Sequence, residues 1–388
     1  MSTLKVGGIR GVSASSDAIT VANDGTCTAN ITNNLSNKNL IINGAYTINQ
    51  YRKTGHGSSG YRVVDRWTMS AGGLNNAMHQ YQVDITAGDL PYTKGFRKMY
   101  RLTNDGQNAD SNDYIQAVQH IEAQNIATSG WNYVSSSSDI TLSFYVRASV
   151  SQTYHGYLQT HDGTSKTNSF SFALTANTWT KVTKTFPGDS SITINNDNGV
   201  GLTLHFTPFM GTDYTASSVT DGAWQTYASG ARTTDQTSTW MTTAYSTFEL
   251  TGVQLEVGSV ATDFEHKTFG QELALCQRYY YEITPPVAES LIGTTVNPDG
   301  GADLCTIRFP VEMRNEPTLV VSNFSNAFRL YASAGTRNPS TFVLNTGVGS
   351  TDSVQISVSG GTSGGVGFLR VYDPSSGIYA TVAVTAEL

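Results

Sequence analysis

The chain is predicted to be all-β: a central antiparallel jelly-roll β-sandwich, one short linking helix, a second, smaller C-terminal β-sandwich and a short, separate N-terminal segment. Three observations predict it. Apolar and polar residues alternate with period two in segment after segment, as at Ile140, Leu142, Phe144 and Val146, the pattern of a strand with one buried face. Clusters of Gly, Asn, Asp and Ser separate these segments at sandwich spacing. Crossover helices between strands are missing, which disfavours a parallel sheet and leaves an antiparallel jelly roll as the natural closure.

Residues 1–36 read as a separate piece. Leu4, Val6 and Ile9, then Ile19 and Val21, give two short strand candidates around the small-residue loop Gly11–Ser16, and neither is long enough to hold a core alone. Residues 37–268 form the central sandwich. Its clearest strands are Ile140–Val146, Thr178–Phe186 and Gly201–Phe206, where Leu202, Leu204 and Phe206 alternate with Thr203 and His205. The polar, aperiodic stretches Gly106–Asp113 and Thr212–Thr239 are expected as loops at a sandwich edge. Trp67, Trp131 and Trp179 are expected in the core, whereas Trp224 and Trp240, within or beside the second loop, are the exposed-aromatic candidates. In Phe248–Val257, Phe248 and Leu250 and then Val253, Leu255 and Val257 take alternate positions, and the change of phase near Gly252 predicts a bulge. Gln254 and Glu256 face the other way.

A linking helix is expected within residues 269–285. Gly270–Tyr281 places Leu273, Cys276 and Tyr280 at helical spacing, and Pro285 and Pro286 stop it. Residues 286–388 return to strands: Cys305, Ile307 and Phe309 alternate towards Pro310, and Leu319–Val321, Thr341–Leu344, Val354–Val358, Val366–Val371 and Ile378–Val384 follow with Gly-rich turns. About a hundred residues suffice for a small second sandwich.

Charged residues are 14% of the chain, well below the roughly 25% of ordinary soluble domains, while Gly, Ser, Thr, Asn and Tyr abound. Such a surface interacts through hydroxyls, amides and rings. An apolar content of 38% over 388 residues supports real cores. A net charge of −7 with 23 basic residues argues against nucleic acid as the main partner, because few phosphates could be neutralised. Cys27, Cys276 and Cys305 have no metal or disulfide spacing and are expected as reduced thiols. No secretory leader or membrane span is read, so folding in a cytoplasm without membrane insertion is expected.

No catalytic constellation is visible: no GxSxG, HExxH, phosphate loop or CxxC occurs, and the expectation is a protein that is not an enzyme, with no catalytic residues. Asp139, Asp162, Glu249, Glu256 and Asp263 would have to converge for glycosidase chemistry. His155 and His161 on one strand would lie about 20 Å apart, too far to share an ion. A sugar-binding face is the sharper reading. His155, Tyr157 and Gln159 share one side of a strand, Tyr145 and Arg147 lie on the polar side of Ile140–Val146, and His205 on that of Gly201–Phe206. If those strands are neighbours they make one platform of rings and amides, completed by Trp224 and Trp240. The alternative is that these rings pack beneath loops or at a subunit interface.

The stretch GVQLEVGSVATDFEHKTFGQELALCQRYYY, Gly252–Tyr281, together with NLIINGAYTINQYR at Asn39–Arg52 and VDRW at Val64–Trp67, resembles a module of bacteriophage virion proteins, especially tail fibres and related appendages of marine phages. That resemblance implies a carbohydrate-binding β-sandwich in a virion made and assembled in the host cytoplasm. It further implies docking of residues 1–36 to other virion proteins or intertwining of copies, and a homotrimer as the usual fibre arrangement. Host surface polysaccharide is the implied ligand. A structural calcium near Glu256 and Asp263 is the one cofactor the resemblance suggests; otherwise none is expected. The function expected is a structural, adhesive particle component. A purely architectural virion protein is the alternative, and a polysaccharide depolymerase the third reading.

Overall fold

In a computed structural model of the chain the described residues are 7–10, 12, 19–21, 27–29, 37–283, 291–298, 300–322, 328–332, 335–339, 341–344, 350–359, 365–371 and 381–388. Strands β1 (Gly8–Ile9), β2 (Ile19–Val21) and β3 (Cys27–Ala29) pair antiparallel near the N-terminus. The central body runs through β4 (Gly55–His56), β5 (Thr68–Gly72), β6 (Met78–Asp84), α1 (Leu90–Thr93), β7 (Lys98–Asn104), β8 (Tyr114–Glu122), α2 (Ala123–Ala127) and β9 (Asp139–Ala148). It continues through β10 (Gln152–Thr160), β11 (Lys166–Leu174), β12 (Thr180–Pro187), β13 (Val200–Met210), β14 (Trp224–Thr226), α3 (Thr239–Thr242) and β15 (Ser246–Val257). Two six-stranded antiparallel sheets result: a front sheet, β12-β9-β15-β7-β6-β4, and a back sheet, β14-β11-β10-β13-β8-β5. They pack face to face as the jelly-roll sandwich.

The alternation read in the sequence builds the core between them. Ile140, Leu142, Phe144 and Val146 of β9 and Leu202, Leu204 and Phe206 of β13 are all fully buried. The rings of Phe144 and Phe206 meet edge to face, 4.8 Å between centroids, and Phe170 and Phe172 surround Phe144. Each such side chain contributes about 1.5–3 kcal/mol by leaving water. The bulge in β15 is present too: its register on β9 shifts between Thr251 and Gln254, and Gly252 takes the left-handed conformation (φ +60°) that glycine adopts without penalty.

The C-terminal body contains α4 (Phe269–Gln277), β16 (Tyr280–Glu282), β17 (Leu291–Asn297), β18 (Asp303–Arg308), β19 (Thr318–Ser322), β20 (Phe328–Ala332), β21 (Gly335–Arg337), β22 (Phe342–Leu344), β23 (Ser353–Val358), β24 (Gly365–Val371) and β25 (Thr381–Thr385). Sheets β16-β25-β19 and β21-β20-β24-β17-β18-β23-β22 enclose a second core around Cys305, Phe328, Ile356, Leu369 and Val382. Strand β17 escaped the sequence pattern because its faces are inverted: Thr295 and Asn297 are buried while Leu291 and Val296 are exposed. The expected strand start at Ile378 lies outside the described residues.

Two boundaries need correction. Helix α4, fixed at its start by a capping box between Thr268 and Gln271, ends at Gln277, so Tyr280 is not helical. Tyr280–Glu282 instead pairs with Thr385–Ala383, and the second sandwich begins inside the segment expected as linker. Cys276 is fully buried, as the helical spacing requires, but Leu273 is only half buried. The polar loop 212–239 is not wholly irregular, because Trp224–Thr226 adds an edge strand to β11.

The three separated sequence stretches that carry the virion-protein resemblance meet in space. Asn39 donates to the Val253 carbonyl (3.1 Å) and accepts from the Leu255 amide (3.0 Å). Asn43 Nδ2 holds the carbonyls of Ile48 (2.9 Å) and Asp65 (3.0 Å), and the Asn43 amide donates to Glu272 of α4. Gly44 is required here, since a Cβ would stand 2.1 Å from the Val253 oxygen. The buried Arg66 guanidinium lies 3.4 Å over the Tyr279 ring, donates to the His120 carbonyl (2.7 Å) and pairs with Glu387 at the end of the second sandwich. These stretches form the joint between the two sandwiches.

Candidate functional site

The residues selected from sequence fall on opposite sheets. Tyr145 and Arg147 stand on β9 of the front sheet, whereas His155, Tyr157 and Gln159 stand on β10 and His205 on β13 of the back sheet. The expected single platform does not form. Residues between Ala148 and Gln152 carry the chain from one sheet to the other, so β9 and β10 are consecutive without being paired.

On the back sheet the predicted face exists but is closed. Tyr157 lies opposite His205 and their rings stack at 4.1 Å, with Gln159 opposite Thr203 and His155 opposite Thr207. Tyr157 Oη and His205 Nδ1 both donate to Gln116 Oε1 (3.1 and 2.6 Å), and burial holds His205 well below its ordinary pKa, in the neutral form. Residues 211–238 fold over this face. Asp221 accepts from Ser169 (2.6 Å), Gln236 donates to Thr207 (3.0 Å), and Thr234 meets His155 Nδ1 (3.3 Å). Tyr157 is consequently 1% and His155 4% exposed. Trp240 is also corrected: it is fully buried, its Nε1 donating to the Thr247 carbonyl (2.9 Å). Trp224 is half buried and tied to the Pro187 carbonyl (2.7 Å). A tryptophan in a polar stretch needs one acceptor for its N–H, and burial of the rest of the ring is then favourable. Trp179, expected in the core, joins instead a satellite cluster on the outer front face with Phe96, Met99 and Tyr145.

That outer front face carries an open pocket of about 260 Å³. The bulge at Gly252 makes it, because the missing Cβ, which would lie 2.5 Å from the Phe96 ring, lets Phe96 cover the bulge as a floor. Phe264 packs on Phe96 edge to face (4.9 Å), with Tyr145 (5.5 Å) and His266 (5.1 Å) around it; Phe264 and His266 are the accessible rings, while Tyr145 and Phe96 are buried behind them. Polar groups from Ser143, Asp263, Lys94 and Lys181 open into the same space. Burial, and secondarily the Asp263 carboxylate, push the Tyr145 phenol above its ordinary pKa, so it stays a hydroxyl donor. Arg147 lies beside the pocket without being free: it pairs with Glu249 and Asp89 and sits over the Trp179 ring at 4.8 Å. Sequence reasoning selected Tyr145 and missed Phe96, Phe264, Lys94 and Lys181, which reach the pocket from loops and a neighbouring strand. Alternation of Phe264 and His266 beside Asp263 is the signal that could have exposed the wall.

The calcium expected near Glu256 and Asp263 does not fit the donors present. Glu256 Oε1 accepts from the Thr262 amide (2.8 Å) and Gln254 Nε2 (2.9 Å), and Oε2 from the Thr262 hydroxyl (2.6 Å). Its lone pairs are thus committed to hydrogen-bond donors, while Asp263 is exposed at the pocket. Among the described residues no cluster of three or more His, Cys, Asp or Glu side chains could hold a metal ion.

No protein-family model matches the chain, and no curated protein matches it. Solved structures show slight likenesses. A putative sugar-binding protein from Bacteroides thetaiotaomicron is 13% identical over 57% of this chain and 100% of its own, with a TM-score of 0.30. A family 11 carbohydrate-binding module from Clostridium thermocellum, in complex with a mixed-linked tetrasaccharide, is 11% identical over 54% of this chain and 98% of its own (TM-score 0.28). A cyclase from Fischerella sp. is 7% identical over 57% of this chain and 95% of its own (TM-score 0.31). At such scores the sandwich stands on its own strand order, and the pocket alone supports a binding role.

Proposed function

We propose that the chain is a non-catalytic, saccharide-binding structural protein, the adhesive component of a bacteriophage particle, and that it binds host surface polysaccharide in the front-sheet pocket. One observation carries the binding part: ring faces and hydrogen-bonding groups converge there, in an opening on the outside of the sandwich, the combination a sugar's apolar and hydroxyl faces require. The volume, at the small end of ligand sites, favours a single sugar ring over a long chain segment. The particle part is supported by the resemblance of Asn39–Arg52, Val64–Trp67 and Gly252–Tyr281 to virion appendages. Attachment through residues 1–36 and a trimer belong to the same proposal, and several copies would raise effective affinity by avidity. A non-catalytic role is supported by three of the five carboxylates considered from sequence: Glu249 is tied to Arg101 and Arg147, Glu256 to Thr262, and Asp162 to Asn195.

A second reading is architectural, without saccharide recognition, and the closure of the back face over Tyr157 and His155 favours it. Glycan-array screening followed by calorimetry separates the two. Phe264→Ala should weaken saccharide binding roughly five- to thirty-fold, the equivalent of about 1–2 kcal/mol of stacking area, and Tyr145→Ala should weaken it by removing the buried ring behind that wall and its hydroxyl. No saccharide binding by the wild-type chain, or binding indifferent to both substitutions, overturns the pocket as the site.

A further inference from the structure

Most cations on the outer front face are held by carboxylates. Arg101 and Arg147 share Glu249, Arg147 also reaches Asp89 at 3.5 Å, and Lys98 pairs with Asp84 at 2.5 Å. Their charges are neutralised in place. Lys94 and Lys181, by contrast, line the pocket, are exposed, and form no ion pair among the described residues. They come from separate elements, the end of α1 and strand β12, while the Lys181 ammonium is 6.0 Å from the centre of the Tyr145 ring. Asp263, the pocket's carboxylate, likewise forms no ion pair among the described residues.

We propose that the pocket is selective for acidic saccharides, sugars bearing a carboxylate or a sulfate ester. This rests on the saccharide reading above. The two ammoniums take the anionic substituent, Asp263 accepts from ring hydroxyls, and Tyr145 and Phe264 supply the apolar wall. Such a division of labour explains why two unpaired lysines stand in a ring-lined opening of a chain that has few charges and a net charge of −7. Long-range attraction of an anionic polymer is weak for so acidic a protein, so selectivity is a short-range effect inside the pocket and depends on salt only modestly.

The experiment is calorimetric titration of the full chain with three oligosaccharides of equal length: a galacturonate, a sulfated galactan and a neutral galactan. Either acidic ligand should bind roughly tenfold more tightly than the neutral one at low salt, and comparison of the two assigns carboxylate or sulfate. Lys94→Gln and Lys181→Gln should each reduce the preference roughly two- to five-fold, the range of exposed charge contacts, by weakening the acidic ligands more than the neutral one, with the melting temperature unchanged. Tyr145→Ala should weaken all three ligands. Equal binding of neutral and acidic ligands, lost in Tyr145→Ala but indifferent to the lysines, overturns the acidic preference and leaves the saccharide site standing. Unchanged binding of all three ligands by Tyr145→Ala, or no binding of any saccharide by the wild-type chain, overturns both.

Discussion

Gly252→Ala tests the link from sequence phase to pocket. Gly252 has φ +60°, a left-handed conformation that costs a residue with a Cβ about 1–2 kcal/mol. The added methyl would also stand 2.5 Å from a Phe96 carbon that is itself buried beneath Phe264, so the ring must shift, and overpacking of this kind costs about 1–3 kcal/mol. The sum is about 2–5 kcal/mol, or a fall in melting temperature of roughly 4–20 °C for a body of this size. Gly222→Ala is the matched control. Gly222 also has positive φ (+80°), but nothing lies within 4 Å of its added Cβ, so only the backbone cost applies. Calorimetric melting of both variants, with saccharide titration of the Gly252 variant, gives the comparison. A Gly252→Ala protein that melts no lower than Gly222→Ala, or that keeps full binding, refutes the claim that this bulge seats Phe96 and shapes the pocket.

Wild type should gain stability relative to Glu282→Gln as pH falls from about 8 to 5. Burial pushes Glu282 up to about 7 in the folded chain, against about 4 when unfolded, so this group binds its proton more tightly in the folded state across that window and its contribution is lost as pH increases through it. The comparison isolates it from the buried histidines, such as His120 and His205, whose lowered pKa values act in the opposite sense. A wild-type advantage in melting temperature that shrinks on acidification from 8 to 6 contradicts this. Trp240→Ala should cost about 3–5 kcal/mol, as for a fully buried aromatic, and Trp224→Ala distinctly less; the reverse order in chemical denaturation would restore the exposed-loop reading of Trp240.

Alternation at Ile140–Val146 and Leu202–Phe206, and the phase slip at Gly252, were legible because burying one face of a strand is a local property with period two. The helix after Thr268 was legible in its start but not its end, since the last turn yields to pairing of Tyr280–Glu282 with a strand a hundred residues away. Which strands are neighbours is not local. Tyr145 and Tyr157 share the same alternation, yet one lines an open pocket and the other lies under residues 211–238 on the opposite sheet. Sequence by itself therefore determined the all-β class, the two sandwiches, the bulge and the polar character of the outer faces, through residue-by-residue burial preferences. Only the tertiary structure decided which polar face remains open and that Lys94, Lys181, Phe96 and Phe264 meet there, because sheet order and loop docking depend on contacts between residues far apart in the chain.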